Sequence, residues 1–178
     1  MLATRRLTIT VPDPRLETHE VAEIFNSNPD FIADSEGRTE KTAYTADEVA
    51  SWPLFTGRLR DHQRLLLVRL REGGQLIGVA DLLTPHPRGN YAALGLLILH
   101  SDWQRRGLGG EAAEAIESAL FSEGWSEVEI VVQRTRPRSR RFWERRGYRL
   151  VREGVNENGR QCWIMRKPLK QAPLNDAG

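Results

Sequence analysis

The chain has 178 residues, 39% apolar and 28% charged, which suits one globular domain with its own core and excludes a disordered chain. Its formal net charge of +2 does not mark a nucleic-acid binder, although the isoelectric point is near 9.0. The longest apolar run, the nine residues Tyr91 to Leu99, is far short of the roughly 20 that a membrane helix needs. No apolar segment follows Arg5 and Arg6, so no secretory signal is expected and a cytoplasmic protein is the default reading. The single cysteine, Cys162, excludes an internal disulfide and a cysteine-based metal cluster.

In chain order, Arg5 to Val11 alternates apolar and polar residues and predicts an edge strand stopped by Pro12. Leu16 to Phe25 has helical spacing, with Leu16, Val21, Ile24 and Phe25 on one face. Asn26 to Thr45 is polar and rich in turn formers and predicts a loop. Thr45, with Glu48 three residues on, predicts a capped helix start, followed by Val49, Trp52, Leu54 and Phe55. Arg64–Leu70 and Gln75–Thr84 predict a hairpin about Glu72-Gly73-Gly74. A loop, Pro85 to Asn90, leads to an apolar and therefore central strand, Ala92–Leu99. Next come a helix, Gly109–Glu123, with Ala112, Ala113, Ile116, Ala119 and Leu120 inward, and a strand, Val128–Gln133. A helix from Pro137 to about Arg146, capped by Gly147, and two strands, Tyr148–Arg152 and Gln161–Arg166, joined at Asn158-Gly159, complete the domain. The domain is read as residues 1–169, with a frayed tail over 170–178.

Chemistry concentrates after the central strand, in His100-Ser101-Asp102-Trp103-Gln104-Arg105-Arg106-Gly107-Leu108-Gly109-Gly110-Glu111. A strand ends, glycines open a helix, and two arginines flank them. Backbone N–H groups can converge there without side chains in the way, and the helix N-terminus adds partial positive charge. This describes a phosphate cradle, where a bare strand-to-helix turn would need neither the third glycine nor the arginines. A dinucleotide site on Gly107-x-Gly109-x-x-Ala112 lacks the acid at the end of the next strand, because Glu127 and Glu129 come too early, and too little chain follows.

Gln104-x-x-Gly107-x-Gly109 resembles the pyrophosphate loop of the GNAT superfamily of N-acetyltransferases, and Phe142-Trp143-Glu144-Arg145-Arg146-Gly147-Tyr148 is similar to that family's second motif. The resemblance spans about Arg64 to Arg166. It implies an α/β fold with a mixed, mostly antiparallel sheet of about six to seven strands, splayed at the centre, with about four helices on its two faces. It also implies acetyl-CoA as cosubstrate, with pantetheine pairing to the backbone of Leu97, Ile98 and Leu99. Pyrophosphate would rest on Gln104, Arg105, Arg106, Gly107, Leu108, Gly109 and Gly110, with Arg136 and Trp143 as further cofactor contacts. The Leu99 N–H would polarise the acetyl carbonyl. The acceptor it implies is a primary amine of a small molecule or peptide. Sheet-edge or strand-swapped homodimers occur in the family.

The sequence departs from the pattern at three positions. Trp143 stands where the family's acid tyrosine is common, Arg136 where an asparagine is, and Ala93 where some members carry a glutamate base. Asp81 and Tyr91 are the replacements within reach. Phe31, in the segment Asn28-Pro29-Asp30-Phe31, is a candidate acceptor contact, and Asp30, Asp34, Glu36 and Glu40 could rim a pocket for a cationic acceptor. Four scattered histidines predict no metal site. Rival readings are an inactive acyl-CoA-binding sensor, and nucleic-acid binding through the seven arginines between Arg134 and Arg146.

Overall fold

The computed structural model describes residues 1–12, 17–36, 43–52, 62–86, 89–156 and 159–170. Leu16, Leu54, Phe55, Glu40, Asn158 and residues 171–178, all singled out above, lie outside them. Among the described residues eight strands form one sheet in the order β1-β2-β3-β4-β5-β6-β8-β7. They are β1 (Leu2–Ala3), β2 (Leu7–Thr10), β3 (Gln63–Leu70), β4 (Leu76–Leu83), β5 (Ala92–Leu99), β6 (Glu127–Gln133), β7 (Arg149–Val155) and β8 (Gln161–Pro168). Only β5 and β6 run parallel; every other neighbouring pair is antiparallel. Among the described residues five α-helices accompany the sheet: α1 (Thr18–Asn26), α2 (Pro29–Glu36), α3 (Ala46–Ala50), α4 (Leu108–Ser122) and α5 (Pro137–Arg145).

The structure adds one strand and one helix to the expected set. Leu2 and Ala3 pair outside β2, so β2 is not the edge strand its alternation suggested. Within Asn26–Thr45, expected as a loop, Pro29–Glu36 is helical. Pro29 occupies the first turn, where its missing N–H costs nothing, and Ile32, 6% exposed, anchors the helix in a core. Elsewhere the local signals hold. The Thr45 hydroxyl accepts the Glu48 N–H at 3.2 Å. Gly73 and Gly74 turn the β3–β4 hairpin at φ +77 and +68.

Alternation along the strands builds two cores, one on each face of the sheet. Val68, Ile77, Ala80, Leu94 and Leu99 face α4, whose Leu108, Ala112, Ala113, Ile116 and Leu120 fill one core together with Trp143, Tyr148, Trp163 and Met165. Leu65, Leu67, Val79 and Ile98 face α1, α2 and α3, where Val21, Ile24, Phe25, Ile32, Tyr44 and Val49 form the other. Phe25, Tyr44 and Trp52 meet edge to face at 5.1–5.6 Å. β4 lies so close to β5 that a methyl on Gly78 would stand 2.8 Å from the Ile98 carbonyl and 2.3 Å from Leu99 Cδ2.

The N-terminus is tied to the start of α4. Glu111 accepts from the Thr4 hydroxyl at 2.6 Å, the Arg6 N–H at 2.8 Å and Arg6 Nε at 2.6 Å. Arg6 also donates to the Arg106 carbonyl at 3.0 Å. Burial pushes the Glu111 carboxyl up, and the Thr4 and Arg6 hydrogen bonds with the Arg6 charge outweigh it, holding the group below the usual carboxylate range. At the other end of α4, Tyr148 Oη donates to buried Glu117 at 3.0 Å, and Lys167 Nζ donates to it at 2.5 Å. Burial and the neighbouring Glu117 charge raise the Tyr148 phenol.

Two outcomes follow for stability. Gly78→Ala should cost about 1–3 kcal/mol by overpacking, read as a lower urea midpoint at unchanged slope; an unchanged midpoint would contradict the close approach of β4 and β5. Glu111→Gln should lower stability at neutral pH by about 1–3 kcal/mol. Because the folded-state pKa of Glu111 is lowered, its contribution is complete above the unfolded value of about 4.3 and is lost as pH falls through the folded value. The denaturation midpoints of wild type and variant should therefore converge in acid and separate at neutrality.

Candidate active site

β5 and β6 pair at only two positions, Ala92 with Val128 and Ala93 with Glu129. Beyond them β5 stays with β4 as far as Leu99, and β6 stays with β8 as far as Gln133. Opposite β4 the register slips between Asp81 and Leu82, so Gly95 is an extra residue on β5. A bulge of this kind bends its strand, and here β5 turns away from β6. The result is a V-shaped cleft in mid-sheet. Its walls are accessible where a central strand is ordinarily sealed: Gly95 is exposed, and Val131 is 47% exposed between buried Ile130 and Val132.

The His100 N–H donates to the Ile77 carbonyl across β4 at 2.8 Å. By strand alternation the N–H groups of Ile98 also point to β4, and those of Leu97 and Leu99 point into the cleft. The Leu99 carbonyl on that side accepts from Asn28 Nδ2 at 3.0 Å and Gln104 Nε2 at 2.9 Å. Gln104 also donates to Asn28 Oδ1 at 2.7 Å. The side chain of Gln104 is thus a brace between β5 and the α1–α2 junction.

A 3-10 turn, Ser101–Trp103, carries the chain from β5 to α4. Arg105 at φ +58 and Gly107 at φ +78 are left-handed; strain at a side-chain-bearing residue such as Arg105 is a feature of binding loops. Gly107 is the N-cap of α4 and has no side chain to cap with. The first bond of the helix runs from the Glu111 N–H to the Gly107 carbonyl, so the amides of Leu108, Gly109 and Gly110 have no intrahelical acceptor. A methyl on Gly110 would come within 3.0 Å of the Arg146 guanidinium, and one on Gly109 within 3.7 Å of Leu99. Arg105 and Arg106 are exposed beside the loop, with Arg106 4.8 Å over the Trp103 ring. Three convergent amides, a helix dipole and nearby arginines suit a pyrophosphate, and the unpaired N–H groups of β5 suit an extended chain carrying amides. These residues therefore fit an acyl-CoA.

The remaining candidates lie around the cleft in different ways. Asp81 faces Gly95 and accepts from Gln63 Nε2 at 3.0 and 3.1 Å. The Tyr91 ring, 9% exposed, is stacked on His86 at 4.8 Å and lies 4.0 Å beneath the Arg166 guanidinium. Trp143 is buried against Phe142 and Tyr148 in the core under α4. Arg136 reaches from the start of α5 to α2, with Nε 3.0 Å from Asp34 Oδ2 and the guanidinium 5.4 Å over Phe31. The open end of the cleft is therefore spanned by α2, and Asp34 is engaged there as an ion pair. The sequence reading gave Asn28, Glu111, Arg6 and Glu129 no role at the site, because each makes its contacts with partners distant in the chain.

The arginine run is largely committed within the molecule. Arg134 pairs with Glu153, Arg136 with Asp34 and Arg140 with Glu144, while Arg140 lies 4.6 Å over Trp163 and Arg146 6.0 Å over Phe142. Among the described residues no group of acids, histidines or cysteine is arranged to hold a metal, and no helix is long and apolar enough to cross a membrane.

Comparisons with known proteins agree with this architecture. No curated protein matches the chain significantly in sequence. An acetyltransferase from Thermus thermophilus is 25% identical and superposes at TM-score 0.76, over 95% of this chain and 100% of that one. FdhC, a nucleotide-linked sugar GNAT solved without ligand, superposes at TM-score 0.74 with 12% identity, over 94% of this chain and 89% of its own. The spermidine N-acetyltransferase of Vibrio cholerae, in complex with CoA and spermine, is similar in fold at TM-score 0.71 with 17% identity, over 93% of this chain and 97% of its own. The profile described as "Acetyltransferase (GNAT) family" matches residues 20–148, from α1 through the cradle to the end of the second motif, so the chain belongs to the GNAT family and is an acyltransferase of the N-acetyltransferase type.

Proposed function

We propose that this enzyme moves the acetyl group of acetyl-CoA directly to a primary amine of a small molecule or peptide in the cytoplasm. One observation carries the reading: the cleft opened by the two-residue β5–β6 ladder ends at the α4 cradle on the same strand. Bound acetyl-CoA would supply an acetyl group activated as a thioester. In this reading Leu97 and Leu99 pair through their backbones with pantetheine, with Ile98 holding β5 to β4 between them. The Leu99 N–H lies on the cleft side to polarise the carbonyl. The amides from Arg105 to Gly110 take the pyrophosphate, with Leu108 anchoring the first turn in the core at 3% exposure. Gln104 braces the end of β5.

Arg136, where an asparagine is usual, ties α2 to α5 and is also a cation for the CoA phosphates. Trp143, an indole that donates but does not serve as an acid, supports Phe142 behind the cradle. Asp81 and Tyr91 border the face on which the acceptor would lie, and Phe31 on α2 stands at its open end. Much of the acceleration comes from holding amine and thioester together.

Acetyl-CoA titrated into the protein should change tryptophan fluorescence saturably through Trp103, with NADH and a DNA oligomer giving no such signal. Gly107→Val and Gly109→Val should weaken binding by about tenfold or more, roughly 1.4 kcal/mol each, with folding checked by circular dichroism. Amines that include spermidine and lysine-bearing peptides would then be screened for CoA release. Absence of saturation at millimolar acetyl-CoA would overturn the proposal.

A further inference from the structure

Leu99, the last residue of β5, turns both its carbonyl and its N–H towards the cleft, and the structure closes one of the two. A carbonyl oxygen has two lone pairs. That of Leu99 accepts from Asn28 Nδ2 at 3.0 Å and from Gln104 Nε2 at 2.9 Å, so both are occupied. The other end of the same peptide, the His100 N–H, donates to the Ile77 carbonyl of β4 at 2.8 Å. The peptide between Leu99 and His100 is therefore held from both sides. β6 does not reach Leu99, because its ladder with β5 stops at Ala93. The N–H is the one backbone group that Leu99 still offers to the cleft.

The two amides that fill the carbonyl are themselves fixed. Gln104 Nε2 also donates to Asn28 Oδ1 at 2.7 Å. Asn28 Nδ2 also donates to the Ile24 carbonyl at 2.9 Å and to Ser27 Oγ at 3.0 Å. The amide of Asn28 thus has one orientation, nitrogen towards the carbonyls and oxygen towards Gln104. Its backbone carbonyl accepts from the Phe31 and Ile32 N–H groups at 3.0 and 3.2 Å and so starts α2. Ser27 Oγ accepts from the Ser101 N–H at 3.1 Å. The end of α1, the start of α2, the end of β5 and the turn into the cradle all meet at Asn28.

An extended ligand lying along β5 can meet a strand residue in two ways, as donor to its carbonyl or as acceptor from its N–H. At Leu99 the first way is closed. We propose that Asn28 and Gln104 are positioning residues for acetyl transfer: by filling the Leu99 carbonyl they keep Leu99 for a ligand carbonyl oxygen and so set the register of the thioester. This rests on the acetyl-CoA reading above. Neither side chain needs to touch the acetyl group, since each acts through the Leu99 backbone. Loss of either donor frees a lone pair beside the N–H. Leu99 then accepts as well as donates, an amide N–H of pantetheine can compete for it, and the register is no longer unique. The pyrophosphate contacts lie elsewhere, so polarisation of the thioester and affinity for the cosubstrate should separate.

The test is isotope-edited infrared spectroscopy of acetyl-CoA labelled at the thioester carbonyl, which reads polarisation without any acceptor amine. Bound to the wild-type protein, the carbonyl band should lie below that of free acetyl-CoA. Asn28→Ala and Gln104→Met each remove one donor and add no charge. Each should move the band back towards the free position or split it. Acetyl-CoA affinity by tryptophan fluorescence should change by less than about threefold. Gln104→Arg, which still donates, should hold the band lower than Gln104→Met does. Thr45→Ala, which removes the cap of α3, is the stability control and should leave the band in place. If Asn28→Ala does not fold, Gln104→Met carries the test, since Gln104 is an exposed residue.

An unmoved band in either variant would make that residue a structural brace only and overturn its assignment, while leaving acetyl-CoA binding standing. A wild-type band at the free position would overturn the role of Leu99, and this proposal with it. A wild-type protein that does not bind acetyl-CoA would overturn the acetyl-transfer reading itself.

Discussion

Two rungs of parallel ladder are all that join the halves of this sheet. Each half is complete without the other: β4 holds β5 through Leu99, and β8 holds β6 through Gln133. The bulge at Gly95 then bends β5 out of line, leaving peptide groups in mid-sheet that β6 no longer reaches. Buried peptide groups need partners. The carbonyl of Leu99 finds them in Asn28 and Gln104. The N–H groups of Leu97 and Leu99 are left for whatever enters the cleft. A closed sheet would have been better bonded and would have no place for an extended cosubstrate.

A cleft between two half-sheets keeps its shape only if its ends are held. At the vertex, Glu129 and Arg166 join β6 to β8 beside Ala93. At the open end, Asn28 and Gln104 tie the α1–α2 junction to β5, and Arg136 ties α2 to α5 through Asp34 and Phe31. Behind the cradle, Arg6 and Thr4 grip Glu111 in the first turn of α4. None of these contacts lies within one element. They position backbone amides that carry no side-chain information of their own, so the shape of the cleft is set by residues spread along the chain from Thr4 to Arg166.

The basic segment shows how composition can mislead about partners. Seven arginines within Arg134–Arg146 look like a phosphate-binding face. Arg134, Arg136 and Arg140 are engaged by acids, and Arg146 is partly covered beside Phe142. Arg138, Arg141 and Arg145 are the ones left exposed without an ion pair among the described residues. Three screened surface cations make a weak polyanion surface, and they suit a small anionic cosubstrate better than a nucleic-acid backbone.

Local chemistry was enough to read most of the fold and the glycine turn that opens α4. The alternation in β3, β4 and β5, the helical spacing of Ala112, Ile116 and Leu120, the Thr45 cap and Gly107-x-Gly109 act over a few residues, so they are legible in a string. The same string concealed α2, because Asn28, Pro29 and Asp30 start a helix as readily as they make a turn, and Ile32 settles the matter only by being buried. Which strands neighbour each other is decided by the whole sheet, and only that register sets Glu129 beside Ala93. The sequence by itself determined where glycines open a helix behind the central strand; tertiary structure decided where β5 and β6 part, because strand pairing joins residues that local patterning cannot connect.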